Sequence, residues 1–481
     1  MTSDPGETAA ARASRSDYGW SGGAGTALLT DHYELTMLRA ALRSGASQRR
    51  AVFEVFARSL PAGRRYGVAA GQGRLLDALA GFRFRDGDLR YLADAGVADD
   101  MTLRYLESYA FRGDIWAYAE GDCYFPGSPI LVVEGTFAEA VLLETLVLSI
   151  LNHDCAIASA ASRMVTAADG RPLIEMGSRR THELAAVACA RAAYLTGFTA
   201  TSNLQAGRAY GVPTSGTSAH SFTLAHEDER HAFAAQLETL GTGTTLLVDT
   251  YDVATAVRAA VELAGPGLGA VRVDSGDLPA AAREVRALLD SLGATQTRIV
   301  LTGDLDEYSI AALAATPADS YGVGTSLVTG SGAPTAALVY KLVARAGGGA
   351  DEPAARERGA ADAMVPVAKR SVGKPGRGGR KWAVRQLDAS GTAVAEVITG
   401  SEPPPGTAGR LLLRQLVSRG EIIGAEPLAA ARTRHRQAKA ELPAHARQLS
   451  RGYAAIPTIF PPGPESLDDD AAPVRRRDTG S

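Results

Sequence analysis

The second half of the chain contains four short apolar segments that indicate its fold: LLVDT (246–250), AVRVDS (270–275), RIVLTGD (298–304) and SYGVGTS (320–326). Stretches of helical length separate them, at 253–264, 279–292 and 307–315. Strands that alternate with helices in this way are typical of consecutive parallel βα units. The pattern therefore predicts an α/β fold with a βα barrel in this half of the chain.

Each of these four strands ends in polar residues, which read DTYD, DSGD, TGDLD and GVGT. The carboxyl ends of barrel strands converge on one mouth, where active sites are built. Ordinary turn chemistry accounts for one such end. Four polar ends in register favour an active site.

The chemistry of these strand ends favours a phosphorylated sugar as ligand. In DSGD (274–277), two carboxylates and a hydroxyl surround a glycine beside Arg272, a set that suits ribose hydroxyls, Mg²⁺ or both. The TGD turn (302–304) and the GVGT turn (322–325) suit phosphate oxygens, because their backbone N–H groups open toward helices. Neither a P-loop nor a complete GxGxxG fingerprint occurs, which argues against a dinucleotide on a Rossmann domain.

Two features upstream have both a structural and a chemical interpretation. Arg179 and Arg180 form either a solvated surface pair or an anion clamp, because the guanidinium fork matches carboxylate and phosphate groups. His220 stands in a run of small residues, where it is either structural or open to a bulky ligand. A histidine of the second kind can carry a transferred group. The histidines show no zinc-binding spacing.

Composition excludes several classes of protein. The 481 residues include 50 Lys+Arg and 53 Asp+Glu, a net charge of −3, which argues against binding to nucleic acid or anionic lipid by bulk charge. The three cysteines form no CxxC pair, which disfavours a disulfide framework. The most apolar run, 138–152, contains two glutamates and is typical of a buried helix. With no signal-peptide pattern, we expect a cytoplasmic enzyme without nucleic-acid or membrane partners.

Lysine is rare in this chain. Only five basic residues are lysines: Lys341, Lys369, Lys374, Lys381 and Lys439. Coding bias explains this, or lysine is kept where a flexible ammonium group meets a phosphate. We expect at least one phosphate-contacting lysine within 341–381, and we expect Lys439 on the surface.

Eight segments, in order along 26–345, resemble the nicotinate phosphoribosyltransferases, which are type II phosphoribosyltransferases related to the quinolinate and nicotinamide enzymes. The segments are LLTDHYELTM (28–37), GDCYFPG to SILN (121–152), GFTATSN to TSAHSF (197–222), LLVDTYD, VRVDSGDL, TGDLDEY, YGVGTSLVT and VYKLV. Weaker similarity extends to about residue 462.

The resemblance implies an irregular βα barrel with an α+β sandwich domain built from the N-terminal region and C-terminal segments. Together with composition, it divides the chain into a disordered tail (1–24), an N-terminal α+β domain (25–137), a catalytic barrel domain (138–345), a flexible loop (346–380), a C-terminal segment that packs back on the N-terminal domain (381–462) and a second disordered tail (463–481).

The resemblance also implies a reaction. Nicotinate condenses with 5-phosphoribosyl-1-diphosphate to give nicotinate mononucleotide and diphosphate, in the salvage of nicotinate into NAD. ATP drives the condensation through a phosphohistidine at His220, Mg²⁺ is the cofactor, and the enzyme is a homodimer whose subunits share active sites. Asp274 is implied as a catalytic acid near the ribose and Mg²⁺, without an assigned direct metal ligand.

Further residues match substrate-binding positions of the family. Arg179 and Arg272 match arginines that hold the substrate carboxylate and the phosphoribosyl group, and Thr217 lines the nicotinate pocket. Tyr33 matches an aromatic residue that covers the pyridine ring from the neighbouring subunit. The remaining positions, which include the turns for the ribose and its 5-phosphate, are Ser202, Ser275, Gly303, Asp304, Gly324 and Thr325.

Two positions bear on specificity. Met176 stands where the family usually has phenylalanine, so a thioether replaces a stacking ring. At Ser202-Asn203 the nicotinamide-using relatives carry an acid. A neutral pair does not repel a carboxylate, which favours nicotinate over nicotinamide.

Two other functional classes remain open on the residues alone. A barrel lyase or aldolase acting on sugar phosphates needs a Schiff-base lysine at a strand end, for which Lys341 is the candidate. A non-catalytic ligand sensor on the same fold would have lost charged strand-end residues, whereas DSGD, TGD and GVGT are intact.

Overall fold

The computed structural model of the chain describes residues 25–347, 363–369 and 376–461. The predicted tails 1–24 and 463–481 lie outside the described residues, as do two parts of the predicted loop 346–380, namely 348–362 and 370–375. Lys374 is among them.

The described α-helices, in chain order, are α1 His32–Ser44, α2 Gln72–Ala80, α3 Asp86–Asp94, α4 Asp100–Glu107, α5 Phe137–Val141, α6 Glu144–Ala167, α7 Glu183–Thr196, α8 Leu204–Tyr210, α9 His220–Leu224, α10 Glu229–Leu240, α11 Val253–Ala264, α12 Leu278–Ser291, α13 Glu307–Ala312, α14 Thr325–Val328 and α15 Leu428–Ala440. Short 3₁₀ helices span Ala27–Leu29, Ala46–Gln48, Leu313–Ala315 and Ala444–Arg447.

The described strands are β1 Arg50–Ala57, β2 Gly67–Val68, β3 Asp114–Tyr118, β4 Cys123–Tyr124, β5 Leu131–Thr136, β6 Leu173–Glu175, β7 Ala200–Thr201, β8 Thr245–Leu247, β9 Ala270–Val273, β10 Arg298–Leu301, β11 Ser320–Val323, β12 Leu338–Ala346, β13 Met364–Pro366, β14 Trp382–Leu387, β15 Ala393–Thr399, β16 Arg410–Leu411, β17 Leu413–Ser418, β18 Glu421–Ile422 and β19 Thr458–Ile459.

The four predicted strands are β8 to β11 of a six-stranded sheet with the order β7, β6, β11, β10, β9, β8. All neighbouring pairs are parallel, which confirms the prediction of βα units. We expected a barrel, but the structure shows an open half-barrel. The edge strands β7 and β8 are not paired with each other in the described part of the chain. The physical reason is that residues 204–240, between these strands, form α8, α9 and α10 instead of closing strands.

A seven-stranded antiparallel sheet has the order β13, β12, β1, β5, β3, β17, β18. It collects strands from distant parts of the sequence, since β12 pairs along the length of β1 and β17 pairs with β3. We expected β12 in the barrel domain that runs to residue 345. The structure differs because Leu338, Tyr340 and Val343 of β12 are buried in the core of the antiparallel sheet.

A four-stranded sheet of β16, β14, β15 and β19 completes the C-terminal segment. Arg385 in β14 and Glu396 in β15 form an ion pair with both side chains fully buried. Arg385 also donates to the carbonyl of Cys123 at 2.7 Å, and Glu396 accepts from the Tyr118 hydroxyl at 3.1 Å. These bonds attach the C-terminal segment to the N-terminal region.

Helix α6 joins the two main sheets. Its residues 146–156 contribute to the core against the antiparallel sheet, and residues 157–164 contribute to the core of the parallel sheet. The buried helix expected within 138–152 is confirmed, although Leu142 and Leu143 divide it into α5 and the longer α6. Among the described residues, no helix combines the length and the apolar character needed to cross a membrane.

Candidate active site

The segments that follow the parallel strands lie along one edge of the sheet, because all six strands run in the same direction. We call this edge the carboxyl edge. The predicted site residues that directly follow a strand here are Arg179 after β6, Ser202 after β7, Asp274 and Ser275 after β9, Gly303 and Asp304 after β10, and Gly324 and Thr325 after β11.

The acids of the strand-end motifs divide into two groups. The last acid of three motifs, namely Asp252, Asp277 and Asp306, caps a helix, because its side chain accepts a backbone N–H bond from the first turn of α11, α12 or α13. Turn chemistry thus explains Asp277, which we expected to contribute a second carboxylate to the ligand site of Asp274. The first acids of the DTYD and DSGD motifs, Asp249 and Asp274, take part in a different set of contacts.

Asp249, which the sequence reasoning did not single out, connects two strand ends. Its Oδ2 accepts hydrogen bonds from the backbone N–H of Asp274 at 2.8 Å and from the Ser275 hydroxyl at 2.7 Å. Its Oδ1 is buried and has no hydrogen-bond partner among the described residues. This oxygen lies 3.7 Å from Nε2 of His220. The position of the acid directly after β8 was the available signal.

His220 is placed at the carboxyl edge by the first turn of α9. Its Nδ1 lies 3.1 Å from the Thr250 hydroxyl, so neighbouring residues of one strand end, Asp249 and Thr250, flank the ring. The His220 side chain is 40% exposed, whereas that of Asp249 is 3% exposed. The imidazole is therefore flanked by a buried carboxylate and a half-buried hydroxyl and is still open to a ligand.

Arg272 donates hydrogen bonds to two other predicted site residues, Thr217 and Asp274. Its guanidinium donates to the Thr302 hydroxyl at 2.8 Å, to the Thr217 hydroxyl at 3.1 Å and to the Asp274 carboxylate at 2.9 Å. A guanidinium has five N–H donors, so this set leaves two for a ligand anion. The structure thus brings Thr217, Arg272 and Asp274 together.

Asp274 is ionised at neutral pH. Partial burial raises the pKa of Asp274, but hydrogen bonds from Thr302 and Arg272, with the nearby charge of His220, outweigh burial and hold it below the usual carboxyl value. An anionic carboxylate beside a fixed arginine suits a ribose hydroxyl or a hard cation.

Glu229, at the start of α10, is a second carboxyl that the sequence reasoning missed. Burial, together with the charges of Asp249 and Asp252, raises the pKa of Glu229 to about 7. Its Oε1 is buried without a hydrogen-bond partner in the part of the chain that the structure describes. Glu229 therefore changes its charge near neutral pH, next to the residue that flanks His220.

Two tight turns complete the carboxyl edge. Gly303 has a φ of +112°, and a Cβ there would lie 2.3 Å from the carbonyl oxygen of Asp274, so only glycine fits. Asp304 follows in the left-handed region with a φ of +47°. Gly324 precedes the short helix α14, and Thr325 is exposed at its first position. Both turns present backbone to a ligand.

Arg179 is exposed after β6, consistent with an anion clamp. The side chain of Met176 packs against Gly322 of the neighbouring strand β11. A Cβ at Gly322 would lie only 2.7 Å from the sulfur of Met176. Ser202 is exposed and donates its backbone N–H to the carbonyl of Glu175 at 2.8 Å.

Neither Asn203 nor Glu175 presents a free polar group. Asn203 caps α8 through Ala206 and donates to the Ser178 hydroxyl at 3.0 Å. Burial raises the pKa of Glu175, and its two oxygens accept from the Thr201 hydroxyl and the Gly177 N–H. A substrate carboxylate would therefore meet no free acid at this strand end.

The structure does not bring Tyr33 to the carboxyl edge. Tyr33 lies in α1 beside Glu144, the first residue of α6. Burial and the Glu144 charge raise the pKa of its hydroxyl to about 12. Helix α1 and the first turns of α6 pack on the core of the antiparallel sheet, whereas every other predicted site residue lies beside the parallel sheet.

Three of the lysines, Lys341, Lys381 and Lys439, lie away from the carboxyl edge. Lys381 is buried, pairs with Glu54 at 2.9 Å and donates to two backbone carbonyls, so its ammonium is occupied. Lys341 lies in β12 opposite Glu54, in the antiparallel sheet, which removes the lysine that an aldolase would need at a parallel strand end. The expectation that Lys439 lies on the surface is wrong, because it is largely enclosed and donates to the Ser162 carbonyl at 3.1 Å.

Within the described ranges, no group of three or more His, Cys, Asp or Glu side chains is arranged to hold a metal ion. A metal at this edge would need oxygen atoms from a ligand as well.

Comparison with known proteins adds independent findings. Residues 28–152 match the model of the nicotinate phosphoribosyltransferase (NAPRTase) N-terminal domain, and residues 172–344 match that of the nicotinate phosphoribosyltransferase (NAPRTase) family. The chain is 58% identical over 441 residues to nicotinate phosphoribosyltransferase pncB1 of Mycobacterium tuberculosis, covering 90% of this chain and 94% of that protein. It is 38% identical over 328 residues to the nicotinate phosphoribosyltransferase of Bacillus subtilis, covering 66% of each.

A solved structure agrees with these matches. The crystal structure of human nicotinic acid phosphoribosyltransferase superposes with a TM-score of 0.74 at 25% identity, covering 90% of this chain and 97% of the human chain.

Proposed function

Since the chain belongs to the nicotinate phosphoribosyltransferase family, we propose that it condenses nicotinate with 5-phosphoribosyl-1-diphosphate to form nicotinate mononucleotide and diphosphate. The product enters NAD biosynthesis by salvage. The observation that supports this reaction most directly is the convergence of His220, Arg272 and Asp274 at one sheet edge.

The condensation separates charge, because the diphosphate leaves as the ribose carbon becomes electron-poor. Asp274 is anionic and held by Arg272, so it can orient the ribose hydroxyls. The remaining N–H groups of Arg272 suit phosphate oxygens. The turns at Gly303 and Gly324 offer backbone N–H groups to the 5-phosphate. Groups fixed before the reaction stabilise such charge at little reorganisation cost.

We further propose that ATP hydrolysis is coupled through a phosphohistidine at His220. A ring nitrogen attacks the γ-phosphorus of ATP, the bond to ADP breaks, and the phosphoryl group passes to water in a later step. Asp249 lies 3.7 Å from Nε2, where its charge stabilises the positive ring, and Thr250 holds the Nδ1 side.

Mg²⁺ is the cofactor that the proposed phosphate chemistry requires, and the oxygen donors at the carboxyl edge fit it. Asp274 is ionised, and Asp249 has a buried oxygen without a hydrogen-bond partner among the described residues. Mg²⁺ is commonly held by one or two carboxylates plus substrate phosphates. When bound, it would neutralise charge on the departing diphosphate.

We propose nicotinate as the pyridine substrate and a cytoplasmic homodimer as the assembly. Exposed Arg179 suits the nicotinate carboxylate, and the satisfied hydrogen bonds of Glu175 and Asn203 leave no free acid to repel it. Tyr33 lies with the N-terminal region of its own chain. We therefore propose that Tyr33 of the partner subunit covers the pyridine ring.

The experiment is a product assay with nicotinate, 5-phosphoribosyl-1-diphosphate, Mg²⁺ and ATP. Nicotinate mononucleotide and ADP are expected, and turnover of quinolinate or nicotinamide in place of nicotinate would contradict the proposal. His220→Ala should lose ATP stimulation and acid-labile phosphate but keep slow, ATP-independent condensation. His226→Ala, six residues away, is the matched control and should retain both. Equal ATP stimulation of wild type and His220→Ala would exclude the phosphohistidine.

A further inference from the structure

A cavity of about 500 Å³ lies where α6, α7 and α15 end. Helices α6 and α7 directly precede β6 and β7, so their last turns lie at the amino ends of the parallel strands, opposite the carboxyl edge. We call this space the basic cavity. Its charged lining residues are Arg432, Arg436, Lys439, Arg447 and Asp169, with the largely buried, neutral His435 behind them.

Two of the four cations of the basic cavity, Arg432 and Lys439, contact backbone carbonyls. Arg432 donates to the carbonyls of Gly197 at 3.2 Å and Phe198 at 2.8 Å, and also to that of Tyr194. Lys439 donates to the Ser162 carbonyl at 3.1 Å. Within the described residues, these cations form no ion pair with a carboxylate, although Asp169 lies in the same lining.

The negative C-terminal ends of the three helices offset only part of this positive charge. Each helix C-terminus carries about half a negative charge, so three ends supply about −1.5. Asp169 adds one negative charge against four cations, which leaves an excess of roughly +1.5. Arg432, Arg436 and Lys439 all lie on α15, which fixes their backbone positions relative to one another.

The cations also repel one another. Burial, and to a smaller extent Arg447, lower the pKa of Lys439 to about 8, although buried Cys123 acts in the opposite direction. Burial and the charge of Arg436 lower the pKa of Arg432. Burial, Lys439 and Arg432 lower the pKa of His435 to about 3, so that ring adds no charge. A bound anion would relieve this repulsion.

We propose that the basic cavity is a binding site for a phosphorylated small-molecule anion of nucleotide size, separate from the carboxyl edge. The volume falls within the range of small-molecule sites, and the excess positive charge matches an anion with two or more negative charges. Arg436 and Arg447 are exposed at the opening, where guanidinium groups can form paired bonds to phosphate oxygens. Lys439 supplies a point charge in the interior.

The scarcity of lysine permits a test that reports on this site alone. Full-length protein is treated with acetic anhydride at about pH 8, where about half of the Lys439 amines are uncharged and reactive, and acetylation of each lysine is followed by mass spectrometry. ADP, inorganic diphosphate, inorganic phosphate and sulfate are added separately, up to about 1 mM.

ADP or diphosphate should slow acetylation of Lys439 by about tenfold. Arg436→Gln combined with Arg447→Gln should abolish the protection, because two exposed cations are removed without disturbing the core. Arg258→Gln, at an exposed position on α11, is the matched control and should retain it. No protection by any phosphorylated probe, equal protection by sulfate, or protection that survives the double substitution would overturn the proposal. None of these readouts depends on catalysis.

Discussion

Replacement of Glu229 by glutamine tests whether a buried carboxyl beside Asp249 changes its charge near neutral pH. Glutamine keeps the size and the polarity of the side chain but does not ionise. Glu229 is only 9% exposed, and one of its oxygens has no hydrogen-bond partner among the described residues. The ionised form is therefore poorly accommodated in the folded chain.

The magnitude follows from the pKa. A rise from 4.5 to about 7 makes the ionised carboxyl about 3 kcal/mol less favourable in the folded chain than in the unfolded chain. Solvent screens part of the repulsion, because Asp252, one of the two charges involved, is exposed, so we expect about 1–2 kcal/mol. Since the folded-state pKa is the higher one, this cost develops as pH rises from 4.5 through 7 and is complete above that range.

The assay is thermal unfolding of wild type and Glu229→Gln at about pH 5 and about pH 8.5. The variant should unfold about 1–2 °C higher than wild type at the alkaline pH, because a chain of this length shifts by about 1 °C per kcal/mol, and within about half a degree of it at the acidic pH. Glu238→Gln, at an exposed position on the same helix, is the control and should show no such dependence. A difference between Glu229→Gln and wild type that is the same at both pH values would refute the reasoning, as would a variant less stable at the alkaline pH.

Two further predictions concern other buried charges. Asp249→Asn removes the negative charge 3.7 Å from His220, so we expect the ATP-stimulated rate to fall about 10²-fold. The ATP-independent rate in the same product assay should fall much less, because Asp274 remains as a carboxylate for Mg²⁺; equal losses in both would contradict the assigned role. Arg385→Met leaves Glu396 buried without its cation and should cost about 3–5 kcal/mol of stability, measured by chemical unfolding. A second substitution, Glu396→Gln, should recover part of that loss, and no recovery would argue against the ion pair as its cause.

The parallel strands could be predicted because their signals are local. Apolar runs, helical spacing and polar strand ends all occur within short windows, and each of β8 to β11 is found two or three residues shorter than its predicted segment. Arg272 and Asp274 were identified for the same reason, since both flank the end of β9. The site geometry adds contacts that no short window contains, such as that between His220 and Asp249.

The errors come from contacts between distant parts of the chain. Asp249 was overlooked because its motif also contains Asp252, a true helix cap, and only the folded chain separates the two roles. The open edge of the half-barrel depends on how residues 204–240 fold. Lys439 is enclosed by α6 and by the segment around Arg447, so the pattern of its own helix could not reveal its burial.

The pairing of β17 with β3 has a consequence for synthesis of the chain. The two strands are separated by 295 residues (413 − 118), which a ribosome adds in about 15–60 s at roughly 5–20 residues per second. During that interval one edge of β3 has no strand to pair with. One edge of β1 is likewise unpaired until β12 has been synthesised. Unpaired edges recruit other chains. The nascent N-terminal region therefore exposes pairing edges to other chains until its last strands emerge.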